Sequence, residues 1–491
     1  MTSRFGTRYG HLAGEHGMAP CPCHGPEAQR VYRAVEEGLS RRSMLKGLAG
    51  TLLAGGLAGS LGRIAPAMAQ EASGKRVLAN ARYFDGLSST LIEGRDIVIE
   101  NGRIVDLIPH GQPVADATVI DCSGKVIMPG LIDAHWHTFL AALPQMVAMT
   151  ADAGYLHLLA TQEAGRTLMR GFTTVRDVGG PSFALKRAVD EGRFPGPRIY
   201  PSGAMISQTS GHGDFRARFD GPHTATSPLS PAEQVGISII SDGVPDMLLR
   251  TREQLLQGAS QIKIMVGGGV SSQFDPLSSI QFTNAEIRAA VDAAWDWGTY
   301  VCAHVYTPAG IARALAGGVQ SIEHGQLADD EAARRIADAG AWWSLQPFLA
   351  DEDANPQATA RQQADQRLIS EGTVRAFELC QKYSVKTAVG TDILFSPAKT
   401  ESQGRQLAKI ARFMSNVDVL RLVTGRNGDL LALSGSQNPY PGRIGVIEKN
   451  AHADLLVVDG DPTLEIGIIG DPDRMKLIMK AGTVYKNTLN A

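Results

Sequence analysis

Pro129-Gly130-Leu131-Ile132-Asp133-Ala134-His135-Trp136-His137 follows directly on the apolar run Val126-Ile127-Met128. It sets two imidazoles two residues apart at the end of a β-like segment. Side chains at i and i+2 point to the same face of a strand, so both rings can converge on one cation. Neutral imidazole is a standard ligand for zinc and its neighbours. Taken alone, the pair reads equally as a polar strand end, and the rest of the chain has to decide.

Working outward, the same arrangement recurs. Lys263 lies in Gln261-Ile262-Lys263-Ile264-Met265-Val266, a short buried strand running into Gly267-Gly268-Gly269. A lysine inside an apolar strand is costly unless it is paired or chemically altered. It is either a snorkelling amine on an edge strand or a lysine carbamylated by carbon dioxide, an anionic ligand able to bridge two metals. His304 ends Tyr300-Val301-Cys302-Ala303-His304, His324 ends Val319-Gln320-Ser321-Ile322-Glu323-His324, and Asp392 ends Lys386-Thr387-Ala388-Val389-Gly390-Thr391-Asp392. Each polar group closes a short β-like run, with helix-like sequence between the runs. Alternating strands and helices predict a parallel α/β architecture. In a (β/α)8 TIM-like barrel the strand C-termini gather at one mouth, where these distant residues would meet.

The set His135-x-His137, Lys263, His304, His324 and Asp392 resembles the metal-dependent amidohydrolase superfamily, over nearly all of the chain after its leader. Gly171-Phe172-Thr173-Thr174-Val175-Arg176-Asp177, Gly211-His212-Gly213-Asp214 and Ser321-Ile322-Glu323-His324-Gly325 look like the branch of Xaa-Pro dipeptidases, imidazolonepropionase-like proteins and ochratoxin-hydrolysing amidases. The resemblance implies a binuclear centre, usually of zinc. One metal would take His135, His137, Lys263 and Asp392, the other Lys263, His304 and His324. A carbamate on Lys263 and a hydroxide would bridge them. A homo-oligomer is expected on the same grounds, the octamer of some relatives being one form.

The 491 residues, 43% of them hydrophobic, allow a large barrel with an accessory unit, and the net charge of −3 gives no footprint for nucleic acid or an anionic membrane surface. Residues 1–69 read as a removable twin-arginine signal. Arg41-Arg42 precede an uncharged Gly/Ala/Leu run from Gly47 to Leu61, and Ala67-Met68-Ala69 offers a cleavage signal. The run is short for a membrane span, so no stable insertion is expected. Export by the twin-arginine machinery to the periplasm would carry a folded protein with its metal already loaded. A cytoplasmic protein with an Ala/Gly-rich leader is the competing reading. Cys21 and Cys23 fall with His24 in the leader, and Cys122, Cys302 and Cys380 are too few and odd in number for a disulfide framework.

Residues 70–129 and 434–491 are expected to build one small β-sandwich beside a barrel spanning 130–433. Asp96–Glu100 and Arg103–Ile108 flank Asn101-Gly102, a strong hairpin signal. Strands are also expected at Ala453–Asp459 and Lys476–Tyr485. Gly211–Pro245 reads as a long loop over the mouth, and Asp351–Asp365 as a polar, helix-like, solvated cover.

For chemistry, Asp392 is expected to take the proton from the attacking hydroxide and deliver it to the leaving amine, with the metal near His304 and His324 stabilising the developing oxyanion. Tyr306, two residues after His304, should face the mouth and either hydrogen-bond substrate or pack. His212 either contacts substrate or serves as a loop hinge. Arg176 and Asp177 are expected to act as an ion pair or as orienting groups. The activity expected first is cleavage of an amide between an acyl group and a terminal amino acid, in dipeptides, N-acyl amino acids or ochratoxin A. Hydrolysis of a cyclic amide such as an imidazolone, and a non-catalytic metal-binding scaffold, are the other readings.

Overall fold

A computed structural model of the chain describes residues 74–490, apart from positions 225, 273, 356 and 358. The expected signal segment, with Arg41-Arg42 and the cysteines of the leader, lies outside the described residues. No helix among the described residues is long and apolar enough to cross a membrane.

The first six strands are β1 (Lys75–Ala79), β2 (Arg82–Tyr83), β3 (Arg95–Glu100), β4 (Arg103–Pro109), β5 (Ala117–Asp121) and β6 (Val126–Pro129). The next ten are β7 (Leu131–Trp136), β8 (Phe172–Asp177), β9 (Arg198–Pro201), β10 (Met205–Ser207), β11 (Ser238–Ile240), β12 (Ile262–Met265), β13 (Val301–Val305), β14 (Ser321–His324), β15 (Trp342–Leu345) and β16 (Lys386–Val389). The last three are β17 (Leu455–Val458), β18 (Met475–Lys480) and β19 (Thr483–Asn487).

Two sheets come from the chain's ends. One has the order β4-β3-β1-β5, the other β19-β18-β17-β6-β2. The expected hairpin is β3–β4, with Glu100 opposite Arg103. Asn101 (φ +50°) and Gly102 (φ +74°) both adopt the left-handed conformation that a two-residue type I′ turn requires. Leu78, Ile97, Ile99, Ile127, Leu455, Val457, Leu477 and Met479 share one apolar cluster, so residues from both ends fill one core.

The central strands are parallel and buried along nearly their whole length, as expected of strands covered on both faces. They pair as β7-β8-β9 and as β11-β10-β12-β13-β14-β15-β16. The arrangement is α/β, as expected, and the ladders of the described strands do not close into a continuous ring. The ladder is interrupted where Ser202-Gly203-Ala204 separates β9 from β10, with Gly203 at φ +75°. Side chains and single bonds span both margins. Ser260 N–H donates to Pro201 O at 2.7 Å, and Asp392 N–H donates to His135 O at 2.8 Å. Asn427 donates from Nδ2 to the carbonyls of Ile132 and Val389, each at 2.8 Å.

Helices connect the strands, among them Ala153–Met169, Asn284–Asp296, Pro308–Ala316 and Ala360–Lys382. Thr283 with Glu286, and Thr359 with Gln362, form capping boxes that satisfy the first free N–H groups of two of them. Two expectations are corrected. Gly211–Pro245 is no continuous loop, because it contains the capped helix Pro231–Val235 and β11. Asp351–Asp365 becomes helical only from Ala360. Asp351 and Asp353 are pinned by Lys409, at 2.9 and 2.5 Å, rather than standing free in solvent.

Candidate metal centre

β7, β12, β13, β14 and β16 deliver the expected residues to one end of the parallel strands. His135 and His324 are carried by β7 and β14, His137 follows β7, and Asp392 follows β16. Asp392 Oδ1 lies 3.3 Å from His135 Nε2 and 3.1 Å from His137 Nε2, and its Oδ2 lies 3.9 Å from His324 Nδ1. Ligand atoms of His135, His324 and Asp392 all fall within 4.8 Å of one another. The His304 ring sits 4.4 Å from the His324 ring, centroid to centroid. Lys263 on β12 is 1% exposed, and its amine feels Glu323 and Asp392.

The backbone is bent to make this possible. Asp392 (φ +54°) and His324 (φ +74°) are both left-handed without being glycine. Such a conformation costs about 1–2 kcal/mol per residue and persists only when the surroundings hold it.

Four imidazoles each have one nitrogen held by an oxygen. His135 donates from Nδ1 to Glu323 at 2.8 Å, and His137 from Nδ1 to the Gly179 carbonyl at 3.1 Å. His324 donates from Nδ1 to Gln346 Oε1 at 2.7 Å, and His304 from Nε2 to the Gly268 carbonyl at 3.1 Å. This leaves one basic nitrogen per ring for a cation, the arrangement by which a neighbouring acceptor orients a metal-binding histidine. Burial, reinforced by His212, His324 and Lys263, holds His304 well below the usual histidine range, and burial outweighs the opposing Asp392 carboxylate to hold His324 well below it too. Burial also depresses the Lys263 amine. Burial works against the Asp392 carboxylate, but His135 and His137 hold it well below its ordinary range. Imidazoles, a carboxylate and a desolvated amine form a donor set that fits divalent metal.

Several supporting residues carried no role in the sequence reading. Glu323 is fully buried and accepts from Arg176 Nη2 at 2.6 Å as well as from His135. Arg176 therefore does form an ion pair, with Glu323 across the strands rather than with its neighbour. Gln346, one residue past β15, and Asp133, two before His135, were also passed over. A Glu next to His324 on one strand and an Arg inside another were the only available signals, since their meeting depends on strand order.

The remaining candidates lie beside the cluster. The His212 ring stacks on His304 at 4.1 Å and 14°, and Asp275 accepts from His212 Nδ1 at 3.2 Å. Tyr306 stands 5.1 Å from the rings of both His304 and His324. It also joins an apolar cluster with Leu277 and Ile369. Asp177 accepts backbone N–H groups from Thr138 and Gly179, and burial pushes its carboxyl up to about 6.

The amidohydrolase family model matches residues 126–485. The chain belongs to the amidohydrolase family. An ochratoxinase from Aspergillus niger is 28% identical over 378 residues, covering 74% of this chain and 76% of that protein. Among solved structures, a prolidase complexed with N-methylphosphonate-L-proline is 33% identical with a TM-score of 0.77, over 84% of this chain and all of the other. A Xaa-Pro dipeptidase with bound methionine in its active site is 27% identical, with a TM-score of 0.73 over 84% of this chain and 100% of that one. These neighbours imply a TIM-like barrel with a separate domain, and the amidohydrolase is an enzyme acting on amide bonds.

Proposed function

We propose that this amidohydrolase is a binuclear metal enzyme, most simply a zinc enzyme, that cleaves the amide between an acyl group and a C-terminal amino acid. The observation that carries the reading is the convergence of His135, His137, His324 and Asp392, with Lys263 and His304 buried beside them. The similarity to a prolidase, a Xaa-Pro dipeptidase and an ochratoxinase supports dipeptides and aromatic acyl-amino acids as the substrate class.

His135, His137, Lys263 and Asp392 would hold one metal, and Lys263, His304 and His324 the other. Bound divalent metal acidifies water and polarises a carbonyl. A neutral amine is the form that adds to carbon dioxide, releasing a proton and becoming an anionic carbamate, and burial shifts Lys263 toward that form. Asp392, ionised between two imidazoles, takes the proton of the attacking water as its oxygen bonds to the amide carbon. It then gives that proton to the departing nitrogen as the C–N bond breaks, yielding a carboxylic acid and an amine. His212 and Tyr306, whose rings lie against His304, are the residues assigned in this reading to hydrogen-bond the substrate. Asp275 fixes which nitrogen of His212 turns away from the loop. Periplasmic location through Arg41-Arg42 and assembly into a homo-oligomer belong to the same reading.

The test is to incubate the zinc-loaded protein with Xaa-Pro and other dipeptides, N-acyl amino acids, ochratoxin A and imidazolone propionate, and follow products by mass spectrometry. Release of a C-terminal amino acid is expected. Ring opening of the imidazolone alone would replace this reading with the cyclic-amide one.

A further inference from the structure

The margin between β7 and β16 has no strand pairing, yet it must hold two groups of the cluster, His135 and Asp392, in fixed relation. Asp133 sits in that margin with no exposed surface. Its Oδ1 accepts the backbone N–H of His135 and that of Thr391, each at 3.1 Å. Its Oδ2 accepts the Thr391 hydroxyl at 2.7 Å and Gln403 Nε2 at 3.0 Å. One carboxylate thus ties the backbone of the first histidine to that of the residue immediately before Asp392.

The surroundings make this tie hard to replace. A Cβ on Gly390 would come 2.2 Å from His135 N and 2.7 Å from Asp133 Oδ1, so the two strands are in close contact here. Gln403 is itself held, because its Oε1 accepts from Arg170 Nε at 3.2 Å and from Nη2 at 3.1 Å. Arg170 is buried against Glu163. With the guanidinium fixing its oxygen, the Gln403 amide can only turn its NH2 toward Asp133. The left-handed Asp392 follows Thr391 directly, and its carboxylate lies between His135 and His137.

We propose that Asp133 is a positioning residue for the metal centre. Through the backbone of His135 and Thr391 it sets the separation of the His135 imidazole and the Asp392 carboxylate, with Gln403 and Arg170 holding it in place. This rests on the metal-binding reading above. It requires no contact between Asp133 and substrate or metal. Asparagine at this position keeps one oxygen for the two backbone N–H groups but presents an NH2 to the Gln403 NH2, a donor against a donor.

The experiment compares the wild type with Asp133→Asn, Thr391→Val and Gln403→Leu. Each protein is loaded with zinc and dialysed against graded chelator, retained zinc is measured by mass spectrometry, and the Tm of the metal-free form is recorded in parallel. Asp133→Asn is expected to bind zinc about 10- to 100-fold more weakly, the range seen when a group orienting a metal ligand is lost. Thr391→Val and Gln403→Leu, each missing one donor to Oδ2, should lie between it and the wild type. They decide the matter if Asp133→Asn does not fold. Unchanged zinc affinity in the folded variants, with only a lower metal-free Tm, would make the tie a matter of stability and overturn the proposal alone. A wild-type chain that holds no zinc would overturn the underlying metal reading, and the proposal with it.

Discussion

His135 Nδ1 donates to Glu323 across 2.8 Å, joining β7 to β14 beneath the cluster. Burial works against ionisation of Glu323, but the Arg176 guanidinium and His135 hold its carboxylate well below the usual range. The bond aligns the imidazole and turns Nε2 toward Asp392. The same carboxylate neutralises Arg176, which is wholly enclosed by protein.

Glu323→Gln keeps the shape and removes the charge. It leaves a buried guanidinium without its counter-ion, which costs about 3–5 kcal/mol. Denaturant unfolding of the metal-free variant should show that loss. Zinc titration should also show weaker binding, by about 10-fold or more. Wild-type stability would mean that Arg176 is compensated elsewhere.

Asp392→Asn should separate metal binding from proton transfer. The amide keeps an oxygen near His135 and His137, so most of the metal should stay. It cannot accept and return a proton, and kcat should fall by about 100- to 10,000-fold. Metal content and kcat measured on one preparation check this. Nearly wild-type turnover would remove Asp392 from the proposed proton path.

The depressed amine of Lys263 makes a prediction about carbon dioxide. After chelation, activity should be lost. Adding zinc back in carbon dioxide-depleted buffer should restore it slowly or incompletely, and bicarbonate should accelerate recovery. Lys263→Ala should lose this bicarbonate dependence. Equal recovery with and without bicarbonate in the wild type would argue against the carbamate.

His452 gives a pH prediction away from the cluster. Burial, with the Arg198 guanidinium next to it, lowers its pKa to about 4 from the ordinary 6.5. Between those values the unfolded chain binds a proton that the folded chain refuses. The contribution to stability is therefore complete above pH 6.5 and is lost as the pH falls toward 4, by up to about 1.4 kcal/mol per pH unit. His452→Gln removes this one term. The stability advantage of the wild type over His452→Gln should thus shrink on acidification from pH 6.5 to 4, in denaturant unfolding at each pH. A constant difference would mean that His452 titrates alike in both states.

Much of the site was legible because its signals are local. A polar residue closing a short apolar run, as at His135, His304, His324 or Asp392, or a lysine set inside one, as at Lys263, is visible in one dimension. Glu323 and Arg176 were visible only as charges inside strands. Their pairing needs β8 and β14 to face one another, which no spacing along the chain reveals. Asp133 was harder still. Its four donors come from its own strand, from Thr391 and from Gln403, more than 250 positions away.

The sequence by itself determined the parallel α/β order, the β3–β4 hairpin and the residue types of the candidate metal centre. Periodicity, turn chemistry and ligand identity act over a few residues. Only the tertiary structure decided that the central strands pair as two sheets, that Asp351 and Asp353 are clamped by Lys409, and that Asp133, Glu323 and Gln346 buttress the cluster. Those outcomes depend on which strand ends are neighbours in space and on where a buried charge finds its partner. Both are set by packing the whole chain at once.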